Sequence, residues 1–481
     1  MTGIRCSLTS ILLAGWLSAP ADLPAAASAT AERTATAADI AWRDELASLA
    51  AEASQEGEPE LARFIGGWWI PASKPLDGRQ RILMIPPRPI EPPPSAAEVR
   101  GRFLRARRRR GEAIFQEAAA AAAAGDRCEA VRLAAIALRE DPDLERAREA
   151  CGWVRRAGRW VSPAAAARLE RGQVFSEAFG WQSAGEAGRL ETGERLVGGR
   201  WVPAEEVPLP RPTDDPWVWR SDHWRITTTA DLAAAARLAE ALEQTRLVWW
   251  QAFGGFGWSD DELRRRFAGT PSPPRRAGSG MQATLFARRG VYVRTLEKIE
   301  PQAARTLGLY WTPTHTAYFF EENREPTTVW HEATHQLFAE SRRTTNLAGE
   351  QSGFWAIEAV ACYMESLEPD DHGWWLGGLD QGRVPMAACR LLEDDFYLPL
   401  EQLDGLGRVA FQARPDLPML YSQISGLADF FINGRRGAYR NAFIDYLVAI
   451  YSGKAKPGML ATLCGKTYDE LDRDYRRHIA R

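Results

Sequence analysis

An α+β fold, a small mixed sheet followed by a mostly helical half, is predicted by three features of the chain. Strand-like runs at residues 222–229, 282–287, 290–295 and 314–320 are rich in aromatic and β-branched residues. Beyond residue 321 the apolar positions recur at helical spacing to the end of the chain. Ahead of both lie a helical stretch and several short glycine-turn strands.

From the N-terminus, Arg5, the apolar run 11–17 and the small residues Ala27-Ser28-Ala29 have the layout of an export signal over residues 1–29. No later apolar run reaches the ~20 residues that span a bilayer. An exported bacterial protein without a further membrane span is therefore expected, whether periplasmic, envelope-associated or secreted. Residues 30–94 form a small module that ends in a proline-rich linker over 85–94, whose prolines exclude a helix. Residues 95–156 read as a helical hairpin plus one further helix, with turns at Gly125-Asp126 and Asp141-Pro142. This stretch resembles one degenerate tetratricopeptide-like unit, too little for a solenoid, and it offers a surface for a protein partner. The arginine run at 105–110 reads as a solvated helix face.

Within the same 95–210 region, Gly158-Arg159-Trp160-Val161 recurs as Gly199-Arg200-Trp201-Val202-Pro203. A weaker echo is Gly67-Trp68-Trp69-Ile70-Pro71. Each copy predicts a glycine turn leading into a short strand with a packed tryptophan, which accounts for part of the 19 tryptophans. A second proline-rich linker at 208–212 then opens a domain over residues 211–481. In it, 230–253 is an amphipathic helix, 264–279 a polar loop, and 282–287 and 290–295 the two arms of a hairpin.

The 481 residues suffice for two or three domains. A net charge of −3 with 26% charged residues argues against nucleic acid as a partner. Of six cysteines, Cys6 falls in the export signal, leaving Cys128, Cys151, Cys362, Cys389 and Cys464. No CxxC spacing marks a metal site among these, and buried thiols are expected.

The chemistry is concentrated in Thr327-Thr-Val-Trp-His331-Glu332-Ala-Thr-His335-Gln-Leu-Phe338. A helix puts i and i+4 on one face, so His331 and His335 can present two imidazoles to one zinc ion, with Glu332 beside it to take a proton from water. The apolar frame of Val329, Trp330, Leu337 and Phe338 predicts a buried helix, where unpaired imidazoles and a carboxylate are costly without a metal. A third ligand is supplied by Glu358 in Phe354-Trp-Ala-Ile-Glu358-Ala-Val-Ala-Cys-Tyr-Met-Glu365, on a second helix across a loop. Glu365, two helical turns on, is suited to accept the free N–H of a ligand histidine. Cys362 fits burial better than ligation.

His331-Glu332-x-x-His335 with Trp355-Ala-Ile-Glu358-Ala-Val-Ala-x-Tyr363 resembles the gluzincins, the thermolysin-like and aminopeptidase-like zinc proteases. More narrowly, residues 215–481 resemble the peptidase MA-like bacterial family known as domain of unknown function 1570. That resemblance implies one Zn2+ held by His331, His335 and Glu358, with Glu332 as general base. Alanine at 359 departs from the glycine that follows the third ligand in many gluzincins. The resemblance further implies an oxyanion donor in Tyr421, in Pro418-Met-Leu-Tyr421, with His372 as its rival, and a substrate-edge strand at 314–320. The function so implied is hydrolysis of peptides or proteins. A non-catalytic envelope scaffold and a zinc hydrolase of another carbonyl substrate are the alternatives.

Overall fold

The computed structural model describes residues 35–74, 79–85, 90–95, 97–270, 280–323 and 325–480. The export-signal reading, Cys6, part of the proline-rich linker and most of the 264–279 loop lie outside these residues. The fold is α+β, as the pattern predicts: most strands come before residue 321 and helices predominate after it, while the two longest helices, Glu98–Ala123 and Leu232–Gly257, lie before it.

Helix Ala37–Gln55 starts at a Thr36–Asp39 capping box and packs with helix Pro59–Gly66. The hairpin expected next is formed by Glu98–Ala123 and Arg127–Glu140, followed by the short helix Glu145–Ala150. Its arginine run is not simply solvated. Arg109 and Arg110 pair with Glu45 and Asp39 of the first helix, as Arg102 just before the run does with Glu52. Arg107 and Arg139 both lie over Trp68, 3.9 and 4.1 Å from its ring centre, while Trp68 Nε1 donates to Glu140 at 2.8 Å. Trp68 is thus packed among helices, and Gly67–Pro71 forms no strand, because its tryptophan is recruited to this stack.

The glycine-tryptophan units are hairpins, β2 (Val154–Arg156) with β3 (Arg159–Val161) and β6 (Glu194–Val197) with β7 (Arg200–Pro203). Between them stands a third copy, β4 (Gln173–Ser176) with β5 (Gly180–Ser183), which sets Trp181 in the place of Trp160 and Trp201. Helices Pro163–Glu170 and Ala184–Glu191 follow the first two copies.

The middle copy joins the main sheet. Its strands are β8 (Trp217–Arg220), β9 (Trp224–Thr228), β10 (Met281–Phe286), β11 (Leu309–Trp311) and β12 (Thr316–Phe320), in the order β11-β12-β10-β9-β8-β5-β4. The sheet is mixed. β9, β10 and β12 run parallel, whereas β11 pairs antiparallel with β12 and β8 with β9. Three expectations are corrected here. Residues 289–296 form a helix, not a hairpin arm, and it buries Tyr292 and Leu296. The segment 314–320 is not the sheet edge, because β11 pairs on its outer side. The polar loop is also shorter than expected, since Asp260–Phe267 is helical and buries Leu263 and Phe267.

A second sheet closes over the far half: β1 (Gln80–Leu83) pairs with β14 (Gly373–Leu376), which pairs with β13 (Glu368–Asp370). The N-terminal segment is thereby built into the C-terminal half. Gln251 seals the join by bonding both the N–H and the carbonyl of Leu83, at 3.0 and 2.7 Å. Gln251 lies on the helix Leu232–Gly257, which is kinked at Phe253. A Cβ on Gly254 would come within 2.9 Å of Val131, and one on Gly255 within 3.1 Å of Arg127. The two glycines let the helical hairpin and the main domain touch backbone to side chain.

One large core then joins sheet and helices around Phe338, Trp355, Tyr363 and Phe431. All five cysteines in the described residues are free thiols, three of them buried. No helix among the described residues is long and apolar enough to cross a membrane.

Candidate metal centre

The histidine helix, Pro326–Glu340, opens with proline at its first position and is buried from His331 through Ala339. Gln336, next to His335, fixes the helix against the sheet. Its amide accepts from Trp224 Nε1 at 3.0 Å and donates to the Gln282 carbonyl at 3.0 Å. The glutamate helix, Phe354–Met364, is buried at every residue. Its start is held by buried Asp404, whose carbonyl accepts the Gly353 N–H at 2.9 Å and whose carboxylate accepts from Trp355 Nε1, Tyr446 and Tyr468.

These two helices pack together and bring His331, His335 and Glu358 to one point. The facing Nε2 atoms of the histidines are 3.1 Å apart. Glu358 Oε2 lies 3.8 Å from His331 Nε2, and its Oε1 lies 3.8 Å from His335 Nε2. All three side chains are 1% exposed or less. Glu358 Oε1 has no hydrogen-bond partner among the described residues. Three buried donors within 4.8 Å of one another can hold a metal ion.

Around this triad the structure also gathers the other expected residues. Tyr421, from helix Leu417–Gly437, donates its hydroxyl to Glu358 Oε2 at 3.1 Å. Glu365 accepts from His331 Nδ1 at 2.7 Å, which orients the imidazole and turns Nε2 inward. His372 sits in the turn between β13 and β14 and joins none of these residues by hydrogen bond or ion pair among the described residues. Cys362 and Glu365 form a second group around His331, but Glu365 is already engaged by a cation.

That cation is Arg383, which the sequence reading missed. Its Nε lies 2.7 Å from Glu365 Oε2 and its Nη2 is 3.3 Å from Oε1. Burial works against the Glu365 charge, yet Arg383 and His331 outweigh it and hold the carboxyl below its usual range. The result is a largely enclosed line Arg383–Glu365–His331.

Glu332 is bonded to the sheet. Its Oε2 accepts the Tyr310 N–H of β11 at 2.7 Å, while Oε1 is buried with no hydrogen-bond partner among the described residues. Burial pushes its carboxyl up to about 7, against the lowering pull of His331 and the Tyr310 N–H. Burial also lifts Glu358 to about 7, partly offset by His331 and Tyr421. His335 is driven down by burial and by the neighbouring His331. For His331, burial is outweighed by hydrogen bonds to Cys362 and Glu365, which raise it.

Compared with family models, with curated proteins and with solved structures, the chain matches none. The chemical reading of this centre therefore stands on its geometry and on the sequence motif.

Proposed function

We propose that this chain is a gluzincin-type zinc metallopeptidase. The observation that carries the reading is a buried two-histidine, one-glutamate donor set with a separate carboxylate, Glu332, held beside it with one oxygen engaged and the other without a partner.

The donors fit zinc. Ligands at ~2.0–2.1 Å in a tetrahedron stand about 3.3 Å from one another. Separations of 3.1, 3.8 and 3.8 Å bracket that edge closely enough for small side-chain shifts to close it. Two imidazoles and a carboxylate also form the ligand type of catalytic zinc sites that keep a fourth position open. When bound, zinc supplies a Lewis acid that polarises a carbonyl and lets a water ionise near neutral pH.

The remaining work belongs to side chains of this protein. Glu332 takes a proton from the attacking water and returns it to the leaving amine, the part of a general acid–base carboxylate. The Tyr310 N–H keeps one oxygen of that carboxylate fixed and leaves the other without a partner among the described residues. Tyr421 releases its hydrogen bond to Glu358 and donates to the carbonyl oxygen as negative charge develops there. Burial first, then the nearby Glu358, raises Tyr421 well above its ordinary range and keeps it a donor. Arg383 and Glu365 hold His331 in one tautomer and one orientation. The choice of a peptide bond over another carbonyl rests on the gluzincin resemblance. Zinc-loaded protein is expected to cleave members of a diverse peptide library and to lose that activity when the metal is removed. A zinc-loaded chain that cleaves none of them would overturn the peptidase reading.

A further inference from the structure

We infer that Gly308 is a positioning residue for the general base, an inference that rests on the hydrolase reading above. Gly308 is buried immediately before β11, where the chain passes over the start of the histidine helix. Its backbone is not in the left-handed region, so an L side chain is conformationally allowed there. What forbids one is space. A Cβ at this position would lie 2.7 Å from Thr328 Cγ2, 3.0 Å from Glu332 Cγ and 3.5 Å from the Tyr318 carbonyl oxygen.

Neither wall of this gap is free to retreat. Asn323 Nδ2 donates both to the Leu307 carbonyl at 3.3 Å and to Thr328 Oγ1 at 2.9 Å, tying the chain before Gly308 to the helix below it. On the other side, β11 is pinned through its pairing with β12 and through Tyr310, whose hydroxyl donates to Glu340 at 3.2 Å. The softest neighbour is the Glu332 side chain. Gly308 thus sets the distance at which the Tyr310 N–H meets Glu332 Oε2, and so the direction in which Oε1 faces. A methyl group at 308 displaces the base while leaving His331, His335 and Glu358 untouched.

The test uses zinc-loaded full-length chain carrying Gly308→Ala, with zinc content, kcat, KM and amide hydrogen exchange at Tyr310 measured together. Zinc content is expected to match wild type, with KM nearly unchanged and kcat lower by roughly 10- to 100-fold, the loss that follows a base misplaced by about 1 Å. The Tyr310 amide is expected to exchange faster, as it should also do when Glu332→Ala removes its acceptor. Adding Thr328→Ser removes the nearest clashing carbon but keeps the oxygen that Asn323 binds, and should restore part of kcat and of the Tyr310 protection. Wild-type kcat with unchanged Tyr310 exchange would overturn the inference. So would a kcat loss that Thr328→Ser leaves unrelieved, a loss that tracks zinc content, or failure of both variants to fold. Should wild type cleave no peptide, the hydrolase reading fails, and Tyr310 exchange alone then decides whether Gly308 positions Glu332.

Discussion

Replacing Arg383 by methionine removes the guanidinium that pairs with Glu365 and leaves a largely enclosed carboxylate beside His331. The side chains of Arg383 and Glu365 are 17% and 8% exposed, so this ion pair belongs with desolvated pairs rather than surface ones. Deleting one member of such a pair costs about 3–5 kcal/mol of stability, because the other charge stays behind. The carboxyl is then expected to take up a proton more readily, since burial is the leading influence on it and Arg383, the largest opposing charge, is gone. A protonated Glu365 is a poorer acceptor for His331 Nδ1, so His331 becomes a weaker ligand. Loss of such an outer partner lowers metal affinity by roughly 10- to 100-fold. Competition for zinc with a chromophoric chelator at neutral pH reads that change directly, and thermal unfolding of the metal-free protein reads the stability loss. Combining Arg383→Met with Glu365→Gln removes both charges, leaves an amide oxygen for His331, and should recover part of each loss. Unchanged zinc affinity in Arg383→Met would refute the proposed line from Arg383 to the metal.

Three further outcomes follow from the same geometry. His335→Ala and Glu358→Ala should each lose most bound zinc in metal analysis, since two donors do not complete the site, and full retention in Glu358→Ala would send the search for a third ligand to Glu365. Tyr421→Phe should keep the metal and lower kcat by about 10²–10³-fold in a peptide cleavage assay, the cost of one oxyanion donor. Metal-free protein should become less heat-stable as pH rises from about 5 to about 8: Glu332 and Glu358 have folded values near 7 against an ordinary 4.5, so the folded state holds protons that the unfolded chain gives up first. That contribution is fully present below the unfolded value and is lost as pH passes the folded one. His335 opposes it below its ordinary 6.5, and unfolding scans showing higher stability at pH 8 would contradict the assignment. Zinc should reverse the trend, because metal binding replaces those protons.

The parts of this site that were legible in sequence are those that depend on helical spacing. His331 and His335 are one turn apart, and Glu358 stands among apolar neighbours that leave it no surface to occupy. Glu365 was recoverable because it shares a face with Glu358. Arg383 was not, since it sits at the end of a loop before helix Val384–Leu392 and carries no periodic signal. Tyr310 contributes through its backbone and Gly308 through an absent side chain, and neither role is written in residue type. In the fold, Val291, Tyr292 and Val293 suggested a strand, but tertiary burial of Tyr292 and Leu296 against Phe286 and Phe320 favours a helix there. β11 was hidden by its length of three residues, which is too short for an alternating pattern to register. The middle glycine-tryptophan copy escaped notice because Gly180-Trp181 lacks the arginine of the other two. The pairing of β1 with β14 joins segments almost three hundred residues apart, a distance over which no local pattern speaks.

The most direct test is Glu332→Gln, which keeps size and shape but supplies no base at neutral pH. Zinc content and peptide turnover should be measured on the same preparations of this variant and of wild type. Zinc is expected at about one per chain in both, with turnover in the variant lower by at least ~10²–10⁴-fold. Equal turnover in the two proteins would contradict the assignment of Glu332 as the base and place the hydrolysis at another centre.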